Sequence, residues 1–133
     1  WQARWAGSAW FHLDPPRHLH HFPLAALRRL VERSGFEIVS EHHFSLRQNP
    51  FGWIQSALNR RAGLPRNGLY TLLYQHAPRT GRGGAPGPAP FDASTRRALW
   101  AGLVLGALPA LALTLAETAR HAGATVHVVA RRA

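Results

Sequence analysis

The 133-residue chain contains no cysteine, no methionine and no lysine. Without cysteine there is neither a disulfide framework nor a thiolate metal site. The want of disulfides fits a cytoplasmic protein. Without methionine, even at position 1, Trp1 is not read as a natural start. The chain is expected to be a fragment, and residues 1–8 hold no leader peptide. Without lysine, all sixteen basic residues are arginine, and only six acids offset them, for a formal charge of +10. Such a surplus points toward nucleic acid or anionic lipid. The arginines, however, come as singles and scattered pairs (Arg28-Arg29, Arg60-Arg61, Arg96-Arg97, Arg131-Arg132). A nucleic-acid footprint would gather them on one face with stacking aromatics between. Together with abundant Ala, Gly and Pro, the exclusive use of arginine fits a high-GC coding bias. Nucleic acid is the weakest of the partner readings; solvated charge facing phosphates of a membrane or substrate is favoured. The length allows one domain, or part of one, with a real core.

Residues 10–22 are the densest stretch of polar chemistry: Trp10-Phe11-His12-Leu13-Asp14-Pro15-Pro16-Arg17-His18-Leu19-His20-His21-Phe22. Two prolines stiffen it and push the residue before each into extended geometry. It reads as a site loop. After it, Leu24, Leu27, Leu30 and Val31 form one stripe of a helix over residues 23–34, with Pro23 at its first position and Gly35 as its left-handed stop. Residues 36–44 then alternate as a strand, with Phe36, Ile38, Ser40, His42 and Phe44 on one face. Residues 1–8 read as loop. Asn49-Pro50 marks a turn, and Phe51, Trp53, Ile54 and Leu58 suggest a short helix. The apolar run over residues 69–74 suits a strand or a buried helix equally. Residues 77–90 interleave glycines with prolines and read as a flexible linker, extending to residue 95. The chain thus divides into residues 1–76, a linker over 77–95, and residues 96–133 of the same domain.

Asp92 or Ser94 can cap the next helix. Residues 98–116 carry no charge, and at ~1.5 Å per residue they approach the thickness of a bilayer core. Pro109, near the middle, is expected to kink or split this helix. Three readings compete: a transmembrane span, a helix or hairpin at the interface or dipping into one leaflet, and a buried helix covering a sheet. Residues 124–130, with Val126, Val128 and Val129, form a strand. A spanning helix would strand it across the membrane from the first half, so a non-spanning reading is favoured.

His12, Asp14, His18, His20 and His21 invite a metal reading, but their spacing matches no established ligand pattern. On an extended loop His18 and His20 share a side while His21 points away. His42-His43 reads as a surface pair on a strand. His18 is a natural proton acceptor near neutral pH, and Arg17 offers a fork for carboxylate or phosphate. Asp14 and Arg17 serve equally well to tie down their own loop. No P-loop, nucleophile elbow or strand-borne Gly-x-Gly-x-x-Gly is present, so no cofactor site can be derived.

The run Asp14-Pro15-Pro16-Arg17-His18-Leu19-His20-His21-Phe22, then Leu27, then Gly35-Phe36-Glu37-Ile38-Val39, resembles the C-terminal half of class I S-adenosylmethionine-dependent methyltransferases. The nearest group is the bacterial branch related to the ubiquinone-biosynthesis type. The hydrophobic residues 99–115 and Gly123-Ala124-Thr125-Val126-His127-Val128-Val129 resemble its end. The resemblance implies an α/β fold: a Rossmann-like seven-stranded sheet with an antiparallel last strand, in which residues 36–44 are the sixth strand and 125–130 the seventh. It implies S-adenosylmethionine as cofactor, held by residues upstream of Trp1, so that the fragment alone is inactive. It implies that His18 and His21 are catalytic and that Trp10, His12, Asp14 and Arg17 bind substrate. The expected acceptor is small or lipid-linked, and the expected setting is the cytoplasm, near the inner membrane face through residues 99–115. Two alternatives stay open: a non-catalytic membrane-associated domain anchored by that helix, and a basic nucleic-acid-binding module.

Overall fold

A computed structural model of the chain describes residues 1–16, 18–75 and 91–133. It is a mixed α/β assembly in which helices dominate and one two-stranded antiparallel sheet stands at the side. The elements are α1 (Gln2–Ala6), α2 (Leu24–Arg33), β1 (Phe36–His42), α3 (Asn49–Asn59), α4 (Gly68–Tyr70), α5 (Ala93–Ala119) and β2 (His127–Arg132). A π-helical turn, Thr71–Gln75, continues α4.

The α2–β1 unit forms where the periodicity places it. Pro23 stands just before α2, and Gly35 makes the turn with φ of 81°, a value that suits a residue without Cβ. β1 pairs with β2 from Phe36 opposite Arg132 to His42 opposite His127, with a register shift between Ile38 and Ser40. Glu37 lies opposite Arg131 and accepts two hydrogen bonds from its guanidinium at 3.0 and 2.8 Å. This pair is exposed and adds little beyond register. Val39 and Val129 are 50% and 53% exposed, so the sheet contributes little burial.

The core lies elsewhere. Trp53, Ile54 and Leu58 of α3 meet Leu69 of α4 and Leu99 and Ala110 of α5. α5 approaches α3 closely because Gly102, Gly106 and Ala110 recur every fourth residue on its inner side. A Cβ on Gly102 would stand 2.5 Å from Leu58 Cδ2, and one on Gly106 would stand 3.2 Å from Ile54 Cγ1.

Several expectations need correction. Residues 2–6 are helical, not loop. Asn49-Pro50 opens α3, because proline fits the first turn, where its missing N–H has no partner to lose. The run 69–74, open to either strand or buried helix, is helical. α5 is continuous through Pro109. Proline removes only one ladder bond, to the Leu105 carbonyl, and its exposed ring borders a hollow beside Trp53 and Ile54 of α3. α5 also begins at Ala93, within the expected linker, because the Asp92 carboxylate accepts the Thr95 N–H at 2.8 Å. The rest of that linker, residues 77–90, lies outside the described residues. Finally, α5 packs on α3 rather than covering a sheet.

Glu117 is fully buried near the end of α5, and neither carboxylate oxygen closes a hydrogen bond among the described residues. Burial pushes its pKa above the ordinary carboxylate range, against a weaker pull from the Ala124 amide, the N-terminal ammonium and the Trp53 indole. The folded state therefore prefers the neutral acid. Stability is greatest below the unfolded-state pKa and falls as pH rises from there to the raised folded value. Glu117→Gln should remove this slope and be more stable than wild type by about 1–3 kcal/mol above that window, measured by urea unfolding across pH.

Candidate functional site

The start of the expected site loop lies against α3, while His18 to Phe22 are exposed. A 3-10 turn, Phe11–Leu13, starts the loop, and Asp14 leaves that turn in the left-handed region with φ of 31°. The Asp14 carbonyl accepts the His18 N–H at 3.2 Å. The Phe11 N–H donates to Ser56 Oγ at 2.9 Å, and Trp10 Nε1 donates to Gln2 Oε1 at 2.9 Å. Gln2 in turn donates from Nε2 to the Asn49 carbonyl at 3.1 Å. The coil is thus pinned at both its first residues, each time through a side chain buried against α3.

The coil gathers His18 and His21, whose rings meet edge to face with centroids 5.6 Å apart. His21 also packs on the Trp10 ring at 5.0 Å. This corrects the extended-loop expectation that His21 points away from His18; His20, whose ring meets Phe22 at 6.0 Å, borders the same hollow as both. His18 Nδ1–H donates to the His12 carbonyl at 3.0 Å, and His21 Nε2–H donates to the Leu13 carbonyl at 3.3 Å. Each bond fixes a tautomer and leaves the other ring nitrogen with a lone pair, Nε2 on His18 and Nδ1 on His21.

His12 stands between two hollows. One, of about 440 Å³, is walled by Phe11, Phe51, Tyr70 and Tyr74, with His12, His18, Arg47 and Gln48 at its polar side. The other, of about 290 Å³, is shared by Trp10, His12, His18, His20 and His21 with residues 124–126 ahead of β2. Burial lowers the His12 pKa below its ordinary value, and the neighbouring His18 and His21 lower it further. A backbone hydrogen bond to Gln48 and the Asp14 carboxylate oppose this without cancelling it. His12 is therefore a neutral imidazole at pH 7, and its Nε2 makes no hydrogen bond among the described residues.

Of the expected site residues, Trp10, His12, His18 and His21 come together at these hollows. Asp14 contributes the turn and a nearby charge, and Arg17 lies outside the described residues. Sequence reasoning missed Arg47, Tyr70, Tyr74 and Gly52. Tyr70 and Tyr74 share a face at a spacing of four, a signal hidden while residues 69–74 were undecided between strand and helix. At Gly52 a Cβ would stand 2.5 Å from both Gln2 Oε1 and His12 Nε2.

His43 also departs from expectation. It is 4% exposed rather than a surface residue, and its Nε2–H donates to Glu41 Oε1 at 2.6 Å. His121, just after α5, packs edge to face on its ring at 5.3 Å, and the Asn49 side chain donates to its carbonyl at 2.9 Å. Glu41, His43 and His121 offer three ligand atoms within 4.8 Å of one another, an arrangement open to a divalent cation. Arg28, however, grips both Glu41 oxygens, at 2.8 and 2.9 Å. That guanidinium, and then His43, hold the Glu41 pKa below the usual carboxylate value. The cluster as built is an Arg–Glu–His clamp joining α2, β1 and the segment after it.

Comparison with known proteins gives no family: no family model, curated protein or solved structure matches the chain.

Gly52→Ala should crowd His12 out of its seat. Despite alanine's better helix propensity, it should cost about 1–3 kcal/mol in urea unfolding. In an NMR titration, His12 of wild type should protonate only below its ordinary pKa of 6.5, and in Gly52→Ala it should move back toward that value. Because the folded pKa is depressed, this histidine's contribution to stability is present above 6.5 and lost as pH falls through the folded value.

Proposed function

We propose that the chain is the C-terminal part of a class I S-adenosylmethionine-dependent methyltransferase, and that residues 10–22 form the acceptor-side wall of its active site. The observation that carries this reading is the antiparallel pairing of the last strand, β2, with β1, directly after a site loop and α2. This is the relation between sixth and seventh strands that the resemblance requires. The other edge of β2 has no partner strand among the described residues, and Val129 beside it is exposed. In the full seven-stranded sheet, the fifth strand would pair there.

Among the described residues none builds the glycine-rich strand-to-helix turn that holds the cofactor in this family. No cofactor contact is assigned to this chain. The cofactor supplies an electrophilic methyl group; this chain supplies the acceptor's surroundings. The aromatic walls of the 440 Å³ hollow suit a planar or hydrocarbon acceptor, and Arg47 suits an anionic group upon it. His18, with Nδ1–H tied to the His12 carbonyl, presents Nε2 to take a hydroxyl proton. His12, neutral and buried, keeps a second cation away from that exchange. Most of the rate enhancement would come from holding the acceptor in line, which a pinned loop favours.

A polypeptide that joins this chain to the segment encoded before it should bind S-adenosylmethionine in calorimetry and transfer its labelled methyl group. In that protein His18→Ala should lower turnover by about 10²-fold or more while leaving the urea midpoint nearly unchanged. If the preceding segment lacks a strand followed by Gly-x-Gly, the proposal fails. If turnover is untouched by His18→Ala, His18 is a loop tie only.

A further inference from the structure

α5 has two unlike sides. Its inner side, Leu99, Gly102, Gly106, Ala110 and Thr114, lies on α3 and the core. Its outer flank is apolar and covered by nothing among the described residues. Val104, Leu105 and Leu108 are 70%, 77% and 78% exposed, and Trp100 and Leu115 extend the same flank. The most apolar window of 18 residues has a mean hydropathy of 2.0, yet only 17% of it is buried. A soluble core helix of this composition would be mostly buried, so this one is exposed against the hydrophobic effect.

Where the inner side of α5 faces α3 and the N-terminal tryptophans is a hollow of about 350 Å³, lined almost throughout by carbon. Trp1, Trp5 and Trp53 wall one side; Gly106, Pro109 and Leu113 of α5 wall the other. Two guanidiniums sit over the outer tryptophans: Arg60 at 4.7 Å from the Trp5 centroid and Arg120 at 5.0 Å from that of Trp1. Arg97 is exposed at the opposite end of α5. From Ala93 to Ala116 the helix carries no acid, and the chain as a whole carries +10. Hydrocarbon in the middle, indoles at the margin and arginines at both ends is the pattern that complements an anionic lipid surface.

We propose that the outer flank of α5 docks in the plane of an anionic bilayer, and that the tryptophan-walled hollow takes one acyl chain of a lipid in that surface. The inner side stays on α3, so the helix lies on the membrane rather than across it. A second copy of this chain is disfavoured as occupant. An antiparallel pairing of two α5 flanks would set Arg97 against Arg120, and each chain carries the same strong positive charge. The proposal does not depend on methyl transfer, and its test reads lipid binding alone.

The test is co-sedimentation with vesicles of phosphatidylcholine, with and without phosphatidylglycerol, together with tryptophan quenching by brominated acyl chains. Wild type should bind the anionic vesicles, and bromine on the chains should quench its fluorescence. Leu105→Glu/Leu108→Glu changes only exposed positions and should weaken binding about tenfold or more, with helicity by circular dichroism unchanged. Arg97→Glu/Arg120→Glu should abolish the preference for phosphatidylglycerol. Equal binding by the leucine variant, or binding without quenching, would overturn the proposal. So would a wild-type dimer that binds no vesicle and becomes monomeric in the leucine variant.

Discussion

The structure hangs on a row of buried amides and hydroxyls along α3. Asn49, Gln55 and Ser56 are fully buried, and nearly every bond they make leaves the helix. Asn49 receives Gln2 of α1 on its backbone and holds the His43 carbonyl with its side chain. Ser56 accepts from Phe11. Gln55 accepts from the Tyr70 amide at 2.8 Å, and Asn59 reaches both the Ala9 carbonyl and Asn67. Each bond is worth only about 1 kcal/mol net, but leaving any one unmade inside the fold would cost more. The network therefore selects geometry more than it adds stability. It allows one seating of the N-terminal helix, one of the site coil and one of α4, all on the same eleven-residue helix.

This explains why some of the fold could be read from the sequence and some could not. α2 and β1 were legible because a hydrophobic stripe and an alternation are local signals, bounded by Pro23 and Gly35. The Asp92 cap was legible for the same reason. The coil over residues 10–22 was not. Proline stiffness suggests an extended loop, while its path is set by Ser56 and Gln2, distant in sequence. His18 and His21 were recognised as chemistry-bearing, but their partnership depends on that path. His43 was misread because strand alternation says nothing of the segment that later folds over it. Glycine at position 52 carried no motif at all; its role exists only once Gln2 and His12 lie against the helix.

The site and the apolar helix share α3 from opposite sides. On one side stand three imidazoles in a chain of high positive charge, with burial and mutual repulsion keeping His12 uncharged. On the other, arginines are stacked on indole rings rather than paired with acids. With six carboxylates for sixteen arginines, few cations find a carboxylate. Among the described residues two that do serve joints: Arg28 on Glu41 and Arg131 on Glu37 both tie β1 to a neighbouring element.

The pairing of β1 with β2 also bears on the order in which the chain folds. Glu37 and Arg131 are 94 residues apart in sequence. Closing a flexible loop of that length costs roughly 4 kcal/mol in chain entropy, more than an exposed two-stranded ladder returns. The helical unit of α3, α4 and α5 shortens the excursion, because once α5 lies on α3 its end holds Thr118 against the His43 carbonyl, at 3.4 Å. The strands are then delivered side by side. The sheet is therefore expected to form after the helices, and amide hydrogens of β2 should exchange before those of α3.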